Sequence, residues 1–248
     1  CYAVYYWIVK RFFNGGREVA GHSSLLPGSG FMVSVELLRR LGGWLTSTMT
    51  EGYEFTAQCV MAGERVQYVP GAIVYDELPL TFVQSWKQRR RWCTGFVQGM
   101  EIYLSNLFRT AFKRRSLAAL DLSVTYFSPT LQMLSLVSGG ASFAMMAYGE
   151  LRFDFMPLSG TIALLGGALA LAYIGCCLAA ALVVWLMYGR SIKKAGKGIL
   201  FFAFFLISWV PIGLISLFKK QPKWEPIQHT SSVGLAGLGA RKGLEVPK

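Results

Sequence analysis

The chain has 248 residues, 53% of them hydrophobic, and a formal net charge of +12. A mean hydropathy of +0.41 is too high for an ordinary soluble domain, so a membrane is implied. The basic residues lie mostly beside apolar stretches, not on a separable polar domain, so the expected partners are lipid headgroups and phosphorylated substrates, and not nucleic acid.

The aromatic-rich start, Cys1 to Phe13, fits a strand, a short helix or an interfacial element, and Asn14-Gly15-Gly16 is a turn signal. Pro27-Gly28-Ser29-Gly30 predicts a tight loop leading into a short strand at Phe31 to Ser34. Its glycines would let backbone approach a ligand, or serve a plain turn. Glu36 to Leu41 predicts a short helix ended by Gly42-Gly43. Trp44 is expected in the core. Glu51 to Ala62 has helical periodicity through Phe55, Cys59 and Val60 and stops at Gly63. Val66 to Val69 and Ala72 to Tyr75 read as strand on either side of Pro70-Gly71. This alternation argues for an α/β half-domain.

Leu80 to about Phe108 predicts a long amphipathic helix, single or broken near Gly95 or Gly99. Gln88, Arg91 and Trp92 stand at i, i+3 and i+4, so they project from one side, with Phe82, Trp86, Cys93, Phe96 and Met100 near the other. An amide, a guanidinium fork and a flat ring above a greasy face suit phosphate and sugar at a membrane surface. An Arg-rich helix lying on anionic lipid without chemistry fits the same residues. Arg89 and Arg90 are expected to contact headgroups.

Apolar stretches follow at about Leu122 to Tyr148, Leu158 to Tyr188 and Ile199 to Phe218. Each is long enough to cross a hydrocarbon core of about 30 Å at about 1.5 Å per residue. Asp121, Pro129 and Gln132 give the first a protein-facing or channel-facing side. Gly166-Gly167 and Ala179-Ala180-Ala181 suit the second to close helix contact. Lys113-Arg114-Arg115, and Arg190 with Lys193, Lys194 and Lys197, mark the cytoplasmic side, while the Gly149 to Pro157 link fits the outside. Lys219, Lys220 and Lys223 then fall where simple alternation predicts the outside. Either the rule is overridden there, or the segment around Pro211 re-enters and the tail stays cytoplasmic. The five cysteines (Cys1, Cys59, Cys93, Cys176, Cys177) indicate no disulfide framework, and His22 and His229 indicate no metal site. The chain opens without Met and without a signal peptide, and reads as part of a longer protein whose start lies upstream.

Gln88-x-x-Arg91-Trp92 resembles the signature of processive family 2 glycosyltransferases, the group of cellulose, hyaluronan and chitin synthases. Leu26-Pro27-Gly28-Ser29-Gly30-Phe31, Leu41-Gly42-Gly43-Trp44, Thr50-Glu51, Tyr68-Val69-Pro70, Asp76-Glu77-Leu78-Pro79 and the tail Lys223 to His229 are similar to that family in order and spacing. The resemblance implies the C-terminal part of a GT-A-like α/β domain fused to a transmembrane α-helical bundle. It divides the chain into a partial catalytic domain (1–79), amphipathic interfacial helices (80–115), transmembrane helices (116–218) and a basic tail (219–248). It implies inverting sugar transfer from a nucleotide-diphosphate sugar to a growing polysaccharide, at a bacterial inner membrane with the catalytic part cytoplasmic.

By the same resemblance Gln88 and Arg91 bind the donor diphosphate, Trp92 stacks on the acceptor sugar, and Gly28, Ser29 and Gly30 border the acceptor site. The family's base is the aspartate of Thr-Glu-Asp, and this chain has Thr50-Glu51-Gly52. Glycine cannot accept a proton; Glu51 and Glu54 are nearby carboxylates, but neither stands at the required position, since consecutive helical residues diverge by about 100°, so the chain as given is not expected to transfer sugar unaided. A divalent ion, Mg or Mn, is implied for a full-length member, held by an Asp-x-Asp element that these residues lack. Transfer to a lipid acceptor is the nearest alternative. A non-catalytic membrane component binding glycan or partner subunits is a second reading, favoured by Gly52. A transporter or channel leaves the non-membrane half unexplained.

Overall fold

The computed structural model describes residues 1–72, 74, 76–153, 158–188 and 192–218. The basic tail with its lysines and His229, Arg190, and the end of the Gly149 to Pro157 link lie outside these residues. Among the described residues two compact units form, one from Tyr2–Phe127 with Ser208–Phe218, the other from Cys1 with Ser128–Ile207.

In the first unit α1 (Tyr2–Trp7), a π-helical stretch (Ile8–Asn14) and α2 (Gly15–Val19) form one helical run. The aromatic start is therefore helix, and Asn14-Gly15-Gly16 lies inside the run, not at a turn. Asn14 instead clamps the next loop, its Nδ2 donating to the Leu25 carbonyl and its Oδ1 accepting from the Leu25 N–H, both at 3.0 Å. The run ends at Gly21, whose φ of 76° suits a residue without a Cβ.

Helix α3 (Val35–Arg40) starts where Ser34 Oγ accepts the Leu37 N–H at 3.1 Å. It ends before Gly42 (φ 85°), and α4 (Glu51–Met61) before Gly63 (φ 86°), as the sequence predicts. The expected strands do not form at Phe31 to Ser34 or Val66 to Val69; the described residues are helices and loops. A ladder needs a neighbour bonding residue after residue. Val66 has one such bond, its carbonyl accepting from Ser24 N at 2.8 Å, and its own N–H turns to Ser23 Oγ. Of the third predicted strand, Ile73 and Tyr75 lie outside the described residues.

Helix α5 (Phe82–Lys113) is unbroken. Thr81 Oγ1 accepts from Gln84 N at 3.2 Å while Gln84 Oε1 accepts from Thr81 N at 3.3 Å, a capping box that fixes its start. Gly95 and Gly99 are contact points, not breaks: a Cβ on Gly95 would stand 2.6 Å from Thr50, and one on Gly99 2.5 Å from the Tyr126 ring. The core joins α4, α5 and the start of α6 (Leu117–Phe153) through Ala57, Val60, Leu107, Ala111, Leu122 and Tyr126. Phe96 lies between Tyr53 and Tyr126, at ring distances of 4.7 and 5.4 Å. Much of the apolar stripe of α5 is thus covered by protein.

Trp44 stacks on Phe55 at 4.4 Å and on Phe31 at 5.5 Å, with an outer side still exposed. Asp121 is held by Arg17, whose Nε and Nη2 reach its two oxygens at 2.6 and 3.1 Å. That fork ties α2 to α6 and accounts for an acid at the edge of an apolar stretch.

The second unit holds the rest of α6, α7 (Leu158–Tyr188), α8 (Ile192–Leu200) and α9 (Phe202–Ile207). Helices spanning Leu117–Gly149 and Ile162–Met187 are long and apolar enough to cross a membrane. Among the described residues no close contact forms at Gly166-Gly167, where an added Cβ would meet nothing within 4 Å. The third apolar stretch is not one helix. α9 stops at Ile207 and α10 (Trp209–Phe218), which belongs to the first unit, begins two residues on. Pro211 supplies the reason. It has no N–H for the Ile207 carbonyl four residues back and its ring crowds that oxygen, whereas in the first turn of a new helix no such bond is required.

Candidate functional site

The N-terminus of α4 docks on α5. Thr50, its cap position, presses on Gly95, where Thr50 N, Oγ1 and Cγ2 would each lie 2.6 Å from an added Cβ. Gly95, Arg91 and Gln88 are i, i−4 and i−7 on α5 and so form one stripe, with Trp92 beside it. Thr50, the first residue of the Thr50-Glu51-Gly52 motif, therefore meets the stripe of α5 that carries Gln88 and Arg91. Gln88, Arg91 and Trp92 are all half-buried. Gln88 Oε1 and Arg91 Nε are buried with no hydrogen-bond partner among the described residues. Buried polar atoms without partners carry a desolvation cost, and a bound polar ligand is one way to relieve it.

Trp92 is framed by aromatic rings. Tyr2 and Tyr6 approach it edge-on, each at 6.3 Å, and Trp209 lies nearly parallel at 6.2 Å. These framing residues come from α1 and α10, elements whose aromatic content was legible but whose place was not. Tyr6 also connects the two halves of the site. Burial first, then Tyr2 and the Asp76 carboxylate, push its phenol up, against the opposing pull of Arg91, so Tyr6 lies within electrostatic reach of both charged groups.

The Gly28 to Gly30 loop completes the cluster. Gly28 and Gly30 take φ of 90° and 67°, conformations that L side chains rarely adopt. Glu51 Oε1 lies 3.5 Å from where a Cβ on Gly28 would stand, Ser29 Oγ donates to Asp76 Oδ2 at 3.5 Å, and Val74 closes over Gly30. The loop, the exposed carboxylate of Glu51 and Asp76 thus share one place. Gly52 is buried under the same loop: an added Cβ would stand 2.6 Å from the Leu26 carbonyl oxygen and 2.9 Å from Gly28 N. Backbone, not open space, fills the position where the family's aspartate is expected.

Two arginines of the cluster behave differently from expectation. Arg89, expected at lipid headgroups, is fully buried: its Nη1 donates to Ser208 Oγ at 2.6 Å and its Nε to the Ser85 carbonyl at 3.3 Å. It fastens α10 to α5, and burial lowers its pKa. Arg90 is half-buried, and its carbonyl accepts from Ser216 Oγ of α10 at 3.4 Å. Burial raises the Cys93 thiol to about 12, which leaves it protonated and without a nucleophile's role.

Glu54, one turn along α4, is structural. It is 1% exposed and accepts from Ser47 N, Thr48 N and Tyr103 Oη at 2.7–2.8 Å. Burial alone would raise its pKa, and these donors outweigh it, so the group lies below its ordinary value. Among the described residues no group of three or more His, Cys, Asp or Glu could hold a metal ion. Glu51 and Asp76 are two carboxylates, short of such a group.

Residues 8–216 match the family described as Glycosyl transferase family group 2. The chain belongs to that family. It is similar to the "Probable glycosyltransferase YdaM" of Bacillus subtilis (strain 168), with 24% identity over 85% of this chain and 50% of the relative. It is also similar to the "Poly-beta-1,6-N-acetyl-D-glucosamine synthase" of Staphylococcus aureus (strain COL), with 28% identity over 40% of this chain and 23% of the relative. The chain thus spans half the length or less of these relatives. No solved structure matches it. Family 2 membership agrees with the resemblance carried by the motifs, at the level of the family and of glycosyl transfer.

Proposed function

We propose that this chain carries the acceptor side and the diphosphate contacts of a membrane glycosyltransferase that moves a sugar from a nucleotide-diphosphate donor to a growing polysaccharide, with inversion. The observation that supports it most is the docking of Thr50, which opens the Thr50-Glu51-Gly52 motif, onto Gly95, on the stripe of Gln88 and Arg91. Transfer needs a base for the acceptor hydroxyl and positive charge for the departing diphosphate, close together and partly shielded from water. The Arg91 fork, whose Nε is buried without a partner among the described residues, and the Gln88 Nε2 donate to the diphosphate oxygens, while Gln88 Oε1 is left to accept from a sugar hydroxyl. Trp92, half-buried among Tyr2, Tyr6 and Trp209, offers the acceptor sugar an aromatic surface. Glu51, exposed beside the Gly28 to Gly30 loop, takes the proton. The divalent ion that the family resemblance implies takes ligands other than the described residues.

Two apolar helices support placement in a membrane, with the Lys113-Arg114-Arg115 side cytoplasmic. Polysaccharide, not lipid, is the preferred acceptor because one matched relative is by name a polysaccharide synthase. The test is transfer of labelled sugar by the whole protein in isolated membranes. Arg91→Lys keeps the charge but loses the planar fork, and is expected to lower incorporation about a hundredfold. Incorporation within twofold of the parent would refute the assignment.

The burial of Gly52 under backbone favours a second reading, a non-catalytic membrane component that retains the glycan surface. On that reading the whole protein incorporates no label above background, and Glu51→Gln changes nothing.

A further inference from the structure

The junction of α5 and α6 holds a feature the sugar-transfer site does not use. A concavity of about 350 Å³ is lined by Ala111, Phe112, Arg115, Ser116, Leu117 and Leu120. Its walls are apolar and open: Phe112 is 75% exposed and Leu117 67%. Arg115 in its lining is cationic and exposed, as is Lys113, the next residue after the wall residue Phe112, and neither is in an ion pair or side-chain hydrogen bond among the described residues. Arg114 between them is committed elsewhere, its Nη1 donating to the Met61 carbonyl at 2.9 Å.

The backbone at the rim is unusual. Ser116 N donates to the Ala111 carbonyl at 3.0 Å, the closure of a helix end in which the intervening residue takes a left-handed conformation. Glycine is the usual occupant of that position. Here it is Arg115, at φ 49°, the one non-glycine with positive φ among the described residues. A side chain that costs backbone energy at a position glycine fills freely points to a role for the guanidinium. The location indicates which role. Leu117, on the wall, is the first residue of the apolar helix Leu117–Gly149, so on the membrane reading proposed above the rim lies at the headgroup layer and the walls at the start of the hydrocarbon.

We infer that this concavity holds one anionic phospholipid, its phosphate between Arg115 and Lys113 and an acyl chain along Phe112, Leu117 and Leu120. A zwitterionic lipid fills the walls equally well, but its ammonium offsets the attraction of the rim, so the site selects for net negative charge.

The test is native mass spectrometry of the full chain, purified in neutral detergent and given equal amounts of phosphatidylglycerol and phosphatidylcholine. One phosphatidylglycerol should be retained in preference. Arg115→Gly should lower retention about fivefold, the equivalent of about 1 kcal/mol per cation, and adding Lys113→Gln about fivefold more. Arg115→Gly relieves the strained position, so thermal stability should hold or rise, which separates loss of lipid from loss of fold. Arg114→Gln should leave the preference unchanged. Equal retention of the two lipids, retention insensitive to Arg115 and Lys113, or displacement of the lipid by millimolar inorganic phosphate would each overturn the site. The inference rests on the membrane reading, and the two fail differently. A chain that fractionates in aqueous buffer without detergent refutes both, whereas an integral chain that retains both lipids alike refutes only the site.

Discussion

At Gly52 a single absent carbon determines how the loop and α4 fit together. With the Leu26 oxygen 2.6 Å and Gly28 N 2.9 Å from an added Cβ, Gly52→Asp forces backbone to move, as in other overpacked sites, at a cost of about 1–3 kcal/mol. Thermal unfolding in detergent should show the loss as a midpoint lowered by several degrees, and incorporation of label should not rise. Glu54 gives a pH prediction with a definite sign. Its carboxyl lies below its ordinary value of 4.5 because Thr48, Tyr103 and Ser47 donate to it. The stability it contributes is complete above that value, and is lost as pH falls from there through the folded-state pKa. Glu54→Gln should flatten this acid limb in unfolding curves measured between pH 3 and 7. Residue identity alone could not separate Arg89 from Arg91, because both are arginines in one run on one helix. The difference lies in Ser208 and Trp209, more than a hundred residues away, which enclose the first and not the second.

Among the elements, α5 organises the first unit because it touches α4 on one side and α10 on another. Its start depends on the Thr81 and Gln84 capping box, so Thr81→Ala should lower stability by about 1 kcal/mol, read from the shift in unfolding midpoint. Gly95→Val should do more, since it drives a branched side chain into Thr50 and separates α4 from α5, and it should abolish label incorporation even where the protein still accumulates in membranes. Helix ends were the most legible part of the sequence, since Ser34, Gly42 and Gly63 mark them by local chemistry that needs no distant partner. Strands at Phe31 to Ser34 and Val66 to Val69 were not predictable in the same way. β-branched and aromatic residues favour extended backbone, but a ladder exists only if another segment lies alongside. The Ile199 to Phe218 stretch is apolar enough throughout to read as one span, and Pro211, at which the sequence also allows re-entry, is where a missing N–H divides it into α9 and α10.

For the whole chain, order and spacing of short motifs carried the family assignment, and residues 8–216 bear it out at that level. The site was partly legible. Helical spacing alone groups Gln88, Arg91 and Trp92, but only the tertiary contact of Thr50 with Gly95 brings the residue before Glu51 against that helix, and only α1 and α10 supply Tyr2, Tyr6 and Trp209 around the indole. A shared site makes a demand that separate sites do not. Residues acting on one transition state lose activity non-additively, because removal of either partner already disables the step. The direct measurement is a double-mutant cycle on the whole protein, Glu51→Gln against Arg91→Lys, read as the rate of labelled sugar incorporation in membranes holding equal amounts of folded protein. The prediction is that each change alone lowers the rate about a hundredfold and that the pair is little worse than the poorer single variant. Losses that multiply, or a Glu51→Gln protein as active as its parent, would contradict a common site.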